Sequence, residues 1–258
     1  MPYELITLEF EGDFATITMN NPQRRNALSL KHMLELTSAF RKVGESEARG
    51  VILAASGPVF SAGHDFADMV GQDLVAVRKI LKVCTTMMNT IQEIPQPVLA
   101  RVQGLATAAG CQLVATCDLA VASTDAGFAT PGGKGGWFCT TPMVAVSRNI
   151  GRKRALEMLL TGDVIDAQTA ADWGLVNRVV PPERLVEESQ SLLERATRGS
   201  FISKSIGKQA YYAQIDLPQP QAYAYAQEVM ASTSQIPDAQ EGMRAFLEKR
   251  KPRFEQRG

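Results

Sequence analysis

The sequence contains few of the residues that build metal sites and disulfide frameworks. Its 258 residues include two histidines, His32 and His64, and four cysteines without CxxC spacing. Two histidines cannot form a His-rich metal site, and a Ser-His-Asp arrangement would have to use one of them. We expect the cysteines to be reduced thiols, because a chain of this length does not need disulfides for stability. The sequence therefore predicts no metal site.

Net charge and long apolar runs are also missing. Twenty-seven Lys and Arg residues balance 27 Asp and Glu residues, so no overall field attracts nucleic acid or an anionic membrane. No apolar run approaches the ~20 residues that cross a bilayer. The first residues show neither the basic region nor the apolar stretch of a signal. These absences favour a cytoplasmic enzyme that acts on a small molecule and binds neither nucleic acid nor a membrane.

The first 150 residues alternate between strand and helix patterns, which predicts an α/β core. Ser29 is a candidate N-cap and Gly44 a candidate end for the first helix, and Pro95 and Pro97 end the second. Three short apolar runs, at 51–55, 98–100 and 119–122, suit strands that are covered on both faces. In chain order the segments are a hairpin over 6–19, a helix over 33–43, a strand at 51–55, a helix over 74–91, and strands at 98–100 and 119–122.

Beyond about Gly151 the strand pattern fades and helical spacing takes over. No low-complexity linker separates the two parts. We therefore predict a core over residues 1–195 and a helical region over 196–258, which packs on its own core or on a neighbouring subunit. The helical segments lie near 152–160, 167–173, 183–198, 201–214, 219–233 and 238–250.

Two segments rich in small residues each follow a predicted buried strand, at 60–65 and at 104–112. Small side chains let backbone N–H groups approach a ligand, and the second segment should open a helix whose first N–H groups lack partners. Taken alone, each segment favours close packing over a binding role. Together they can direct two N–H groups at one oxygen, which is the geometry of an oxyanion hole.

This pair of segments resembles the crotonase superfamily of enoyl-CoA hydratases, isomerases, decarboxylases and CoA-thioester hydrolases. The resemblance extends through 20–28, 117–122 and 167–180, and so covers nearly the whole chain. It implies a spiral of ββα turns with a helical C-terminal region that assembles homotrimers or dimers of trimers. It also implies an acyl-CoA substrate, with coenzyme A as part of that substrate and no other cofactor.

The resemblance assigns a role to individual residues of this sequence. The two oxyanion-hole amides fall on His64 and Ala109, beside Gly110. Basic residues near a helix C-terminus are also favoured by the helix dipole alone, so the C-terminal candidates have a second explanation. The residues expected to contact the coenzyme A moiety or the thioester are Arg25, Ala27, Ala62, Asp65, Phe66, Gly110, Gly132, Lys249, Lys251 and Phe254.

The sequence departs from the hydratase pattern at the two catalytic glutamates. Gln112 and Gly132 stand at those positions, as in hydratase-domain proteins that lack both glutamates. Neither side chain transfers protons near neutral pH, and a well-placed general acid or base is worth about 10²–10⁴ in rate. Asp68 is a candidate replacement base, although an acid near this turn can equally cap a helix. His64 has a suitable unperturbed pKa, but its backbone is assigned to the hole.

Four functions remain open at this point. The first is an acyl-CoA enzyme of the enoyl-CoA hydratase/isomerase family, a lyase or isomerase that stabilises an enolate without efficient standard hydration. The second is a decarboxylase of malonyl-type thioesters, since segments 61–65 and 240–252 resemble methylmalonyl-CoA decarboxylases. The third is a non-catalytic acyl-CoA binder. RNA binding through the basic C-terminus is the fourth, and the neutral total charge weakens it.

Overall fold

The computed structural model describes residues 2–254, so Met1 and residues 255–258 of the two predicted regions lie outside it. The described residues form ten strands, most of them short. They are β1 (Ile6–Glu11), β2 (Phe14–Met19), β3 (Gly50–Ala55), β4 (Val59–Ser61), β5 (Val98–Val102), β6 (Leu105–Thr107), β7 (Leu119–Ser123), β8 (Gly127–Ala129), β9 (Ile165–Asp166) and β10 (Arg178–Val180).

The same residues form ten α-helices, and the predicted segments correspond closely to them. They are α1 (Leu30–Gly44), α2 (Leu74–Glu93), α3 (Ala109–Thr116), α4 (Pro142–Asn149), α5 (Arg152–Thr161), α6 (Ala167–Trp173), α7 (Leu185–Thr197), α8 (Phe201–Gln214), α9 (Gln219–Thr233) and α10 (Pro237–Leu247). None of them is long and apolar enough to cross a membrane.

The strands build a large and a small sheet, and the chain visits them in turn. The large sheet has the order β1-β2-β3-β5-β7-β10, and the small sheet has the order β4-β6-β8-β9. Consecutive strands β3 and β4, β5 and β6, and β7 and β8 therefore divide between the two sheets, and a helical segment leads to the next pair. Within each sheet these strands are parallel. The predicted ββα spiral is confirmed.

Local sequence signals position the first elements as predicted. β1 and β2 form an antiparallel hairpin in which Ile6 pairs with Met19 and Glu11 with Phe14. The Ser29 hydroxyl accepts a hydrogen bond from the His32 N–H and caps α1. Serine at this position satisfies one of the donors that a helix start leaves without a partner.

Helix α8 is fixed to the core by a buried charged group. The Lys208 ammonium lies 2.8 Å from a carboxylate oxygen of Asp118 and donates to the carbonyls of Ile91 and Gln96. The Tyr212 hydroxyl donates to the other oxygen of Asp118 at 2.7 Å. The C-terminal region is thus attached to the spiral core by polar contacts in addition to apolar packing.

Helices α9 and α10 expose much apolar surface in the single chain. Tyr223 and Met230 on α9 and Phe246 and Leu247 on α10 are mostly exposed. α9 has no buried residue along its whole length. The predicted division at residue 195 falls inside α7, which ends at Thr197, and as a domain boundary it stays a prediction.

Candidate active site

The first predicted segment forms a turn after β4 that leaves one backbone N–H free. Leu28 donates its N–H to the carbonyl of Gly63 at 2.7 Å, and Asp65 donates its N–H to the carbonyl of Leu28 at 3.3 Å. This is a parallel bridge between Leu28 and His64. Both groups that flank His64 face Leu28, so the N–H of His64 points the other way. It has no acceptor within residues 2–254.

The second segment opens helix α3 after β6. Ala109 is the first residue of α3, so its N–H has no acceptor inside the helix. Ala108 has φ 51° and ψ −118°, a conformation that side-chain-bearing residues avoid. Its N–H donates to Ala129 and its carbonyl accepts from Gln112, at 2.9 and 3.0 Å. These bonds hold the strained residue that sets the direction of the Ala109 N–H.

Two glycines let the segments meet. Gly63 has φ 84°, and a Cβ at this position would lie 2.9 Å from the Cβ of Ala108 and 3.1 Å from the nitrogen of Ala109. A Cβ on Gly110 would overlap the carbonyl of Ser61. Side chains at either position would push the segments apart. The free N–H groups of His64 and Ala109 therefore lie at the same end of the small sheet.

His64 and Ala109 both line a cavity of about 300 Å³. No Asp, Glu, Lys or Arg of the described residues belongs to its lining. In such surroundings a developing negative charge is felt strongly by nearby dipoles. The lining residues are Ala62, His64, Phe66, Leu81, Ala108, Ala109, Gly132, Trp137, Phe138, Cys139, Thr140, Thr141 and Pro142.

The imidazole of His64 is neutral at physiological pH. Burial lowers its pKa to about 4, because the charged form loses solvation. Its Nε2 atom is buried and has no hydrogen-bond partner within the described part of the chain. The Trp137 ring lies beside it, with 6.4 Å between the ring centroids. A group with this pKa supplies no cation to the cavity near pH 7.

Gln112 and Gly132, at the two glutamate positions, occupy different surroundings. Gln112 is 6% exposed, its Oε1 has no partner within residues 2–254, and it is not part of the cavity lining. Gly132 does line the cavity. A Cβ there would overlap the Trp137 carbonyl oxygen and lie 2.8 Å from the Cys139 sulfur. The loop that follows β8 is therefore folded around a residue without a side chain.

The carboxylates of Asp68 and Asp65 accept hydrogen bonds from nearby backbone N–H groups, and neither residue lines the cavity. One carboxylate oxygen of Asp68 accepts the N–H of Leu30 at 2.6 Å, at the start of α1, and Asp68 is outside the cavity lining. Asp65 accepts two hydrogen bonds from Arg24 and one from the N–H of Ala67. The role of Asp68 as a base stays a prediction.

Several of the residues expected to contact coenzyme A lie near the cavity. Ala62 and Phe66 line it. The N–H of Ala62 donates to the carbonyl of Arg25 at 3.0 Å, and Arg25 has φ 51°. The carbonyl of Ala27 lies 3.0 Å from the Nδ1 of His32. The segment from Arg25 to Ala27 therefore runs along the turn that carries His64.

The C-terminal candidates lie apart from this cavity in the single chain. Lys249, Lys251 and Phe254 are absent from its lining. The ring of Phe254 lies against Gly199 and Gly242 instead. Their contact with a ligand stays a prediction.

The sequence reasoning missed the role of Trp137 and Phe138. Both rings line the cavity, and Trp137 lies 6.2 Å from Phe66 between ring centroids. The available signal was a pair of aromatic residues directly after a glycine-rich loop. Such a pair is a common feature of ligand pockets.

Curated relatives share close to half of the aligned residues. Enoyl-CoA hydratase domain-containing protein 3, mitochondrial, from Danio rerio is 44% identical over 96% of this chain and 86% of its own length. The protein of the same name from Homo sapiens is 43% identical over 92% of this chain. These names contradict the predicted cytoplasmic location. A cellular address is read from a targeting segment, so the composition of the folded part carried no information about it.

Solved structures agree with the sequence relatives. An enoyl-CoA hydratase from Mycobacterium smegmatis superposes with a TM-score of 0.94 at 45% identity, over 97% of this chain and 98% of that one. The human domain-containing protein 3 gives 0.93 at 40% identity, over 97% and 100%. The family model described as Enoyl-CoA hydratase/isomerase matches residues 9–257. The resemblance inferred from the motifs is confirmed, and the chain belongs to the enoyl-CoA hydratase/isomerase family.

Proposed function

We propose that the protein binds an acyl-coenzyme A thioester in this cavity and stabilises negative charge on the thioester oxygen. The observation that carries the proposal is the pair of free N–H groups on His64 and Ala109, two residues that both line the cavity. Each donor of an oxyanion hole contributes about 10²–10³ in rate where such holes have been dissected. An enolate or tetrahedral oxyanion of the thioester is the species that these donors recognise.

The proposed reaction does not use a carboxylate of the protein to transfer protons. No Asp or Glu of residues 2–254 lines the cavity, and the neutral His64 ring has its pKa near 4. Standard hydration needs a group that activates water and one that returns a proton. The proposed activity is therefore the stabilisation of an enolate or related oxyanion, without efficient hydration.

The missing carboxylates favour decarboxylation of a malonyl-type thioester as a second candidate reaction. The bond between the α-carbon and the carboxylate breaks, carbon dioxide leaves, and the electron pair forms the enolate. Water then supplies a proton to the α-carbon. Enolate formation by these steps needs no protein base. A cavity without a carboxylate side chain is therefore compatible with decarboxylation.

The coenzyme A moiety would run along Arg25, Ala27 and Asp65, with its phosphates near Lys249 and Lys251. The apolar surface of α9 and α10 supports assembly as a homotrimer or dimer of trimers, since exposed patches of this kind mark interfaces. Light scattering coupled to size-exclusion chromatography tests this assembly directly. A monomer across the working concentration range would contradict it.

The first experiment offers crotonyl-CoA and methylmalonyl-CoA to the purified protein in parallel. Loss of the conjugated thioester reports hydration, and released carbon dioxide reports decarboxylation. Ala109→Pro removes one proposed donor at the first helical position, where the helix loses no internal hydrogen bond. The expected loss is about 10²–10³ in any turnover. Rapid hydration by the wild type would contradict the absence of a proton-transferring group, and turnover that Ala109→Pro leaves unchanged would contradict the oxyanion hole.

Circular dichroism shows whether Ala109→Pro folds. If it does not fold, the same question is tested by changing the ligand instead of the protein. Octanoyl-CoA and octyl-CoA, a thioether without the carbonyl oxygen, are compared by calorimetry. The proposal expects tighter binding of the thioester. Equal affinities would show that the two N–H groups do not bind the carbonyl oxygen. Thioester-selective binding without turnover would favour the non-catalytic acyl-CoA binder over the enzyme.

A further inference from the structure

We infer that the rings of Trp137 and Phe138 limit the acyl group to a short chain, so that the protein takes thioesters of up to about ten acyl carbons. This inference rests on the proposed function, because it assumes that the cavity receives the acyl part of a thioester. Both rings line the cavity, and neither belongs to the two segments that carry the free N–H groups.

The volume of the cavity sets the first limit. At about 300 Å³ it lies at the lower end of the range for ligand pockets, about 300–1,000 Å³. An engineered cavity of about 150 Å³ binds benzene, which has six carbons. On that scale about twelve heavy atoms fill the cavity. The thioester carbon, oxygen and sulfur take three of these places, which leaves room for about nine further carbons.

The wall is held in place by backbone contacts. Trp137 donates its N–H to the carbonyl of Gly132 at 2.9 Å, and Gly132 donates to the Cys139 sulfur at 3.3 Å. A Cβ on Gly132 would overlap the carbonyl of Trp137. Gly132, at a position where the hydratase pattern has a glutamate, is thus the residue that allows the loop to close on itself.

Further contacts fix the loop and the ring. Lys134 pairs with Asp163, which ties the loop to the segment after α5. Trp137 lies between Phe66 and His64, at centroid distances of 6.2 and 6.4 Å. Trp137 is 46% exposed, so its ring borders solvent as well as the cavity. Removing the ring opens the cavity outward, so a longer chain gains an exit.

The test measures binding of butyryl-, octanoyl- and dodecanoyl-CoA to the full-length protein by calorimetry, below the concentrations at which the ligands form micelles. Each methylene that fits should raise the affinity about fourfold. For the wild type we expect a rise from butyryl to octanoyl and a fall of at least tenfold at dodecanoyl. In Trp137→Ala the fall should disappear. Phe10→Ala is the matched control, because Phe10 is 47% exposed on β1 and is not in the cavity lining.

The other outcomes overturn either the length limit, the role of Trp137 or the proposed function. Dodecanoyl-CoA that binds the wild type as tightly as octanoyl-CoA overturns the length limit. A fall that persists equally in Trp137→Ala and Phe10→Ala overturns the assignment to Trp137. In both cases short thioesters still bind, so the proposed function survives. If no thioester of any length binds more tightly than coenzyme A itself, the proposed function fails and this inference fails with it.

Discussion

The cavity at His64 and Ala109 differs from the buried cluster beneath α8 in whether its polar groups have partners. In the cluster, Lys208 contacts Asp118 and two backbone carbonyls, and Asp118 also accepts from Tyr212 and the N–H of Val98. In the cavity, two N–H groups have no acceptor within the described residues and no charged side chain lines the wall.

The electrostatics of the two regions follow from this difference. Burial lowers the pKa of Lys208, but Asp118 opposes the shift, and burial together with Asp118 raises the pKa of Tyr212. Burial lowers the pKa of His64 without any opposing partner. Charged side chains are present in the cluster that connects helix α8 to the core. Where a ligand is proposed to bind, charge is avoided and backbone dipoles are left available.

The largest expected effect comes from breaking the cluster. Lys208→Met removes one partner of a buried pair and leaves Asp118 with an uncompensated charge, which costs about 3–5 kcal/mol. Chemical denaturation at fixed protein concentration measures the loss. Lys134→Met is the control, since its pair with Asp163 is exposed and should be worth at most about 1 kcal/mol. Equal losses in both variants would show that the cluster does not anchor α8.

A smaller effect tests the neutral ring in the cavity. His64 has a folded pKa of about 4 against the ordinary value of 6.5 for a solvated histidine, so its contribution to stability is fully present above the unfolded pKa. It is lost as the pH falls toward 4, because the unfolded state then binds more protons. From about pH 7.5 to about pH 4.5, His64→Gln should lose about 2 kcal/mol less stability than the wild type.

Denaturation curves at the two pH values measure this difference. His32→Gln is the informative comparison, because burial also lowers the pKa of His32 while the carbonyl of Ala27 and the charge of Glu35 oppose the shift. It should therefore remove less of the pH dependence. If His64→Gln and the wild type lose stability in parallel, the imidazole is solvated and the cavity is wetter than its lining indicates.

A change of similar size tests the loop wall. Gly132→Ala places a Cβ against the carbonyl of Trp137, and relieving that overlap should cost about 1–3 kcal/mol. The free energy of unfolding and the affinity for octanoyl-CoA should fall together, since Trp137 moves. Gly135→Ala is the control within the same loop, because its Cβ would make only an ordinary contact with the Gly132 carbonyl at 3.6 Å. A neutral Gly132→Ala would mean that the loop tolerates side chains.

The sequence predicted what depends on local patterns. The hairpin over 6–19, the Ser29 cap and the helices after Gly151 follow from periodicity and capping chemistry. The three-residue strands β4, β6 and β8 were not predicted, nor were β9, β10 and α4. A strand of three residues carries too little pattern, and its pairing is decided by partners far along the chain. β4 also shifts register against β6 between Val59 and Ser61.

The same division holds for the site. The small residues around His64 and Ala109 could be recognised because close backbone approach demands them. The engagement of Asp68 by the N–H of Leu30 and the position of Trp137 depend on tertiary contacts that no local pattern records. The contacts of Gly132 belong to the same class, since only the folded loop shows that a side chain there would overlap the Trp137 carbonyl.

The smallest expected effect is the one that standard family chemistry would make the largest. Gln112→Glu restores one carboxylate of the hydratase pattern, and a well-placed acid or base is worth about 10²–10⁴ in rate. Gln112 lies outside the cavity lining, however, and the second glutamate position is closed by the loop at Gly132. Hydration of crotonyl-CoA should therefore rise less than about tenfold, or about 1.4 kcal/mol. Gln72→Glu in the exposed turn before α2 controls for added charge. A gain of a hundredfold or more would mean that the wall moves to admit a carboxylate, and the absence of charge would then be a single reversible substitution rather than a property of the folded loop.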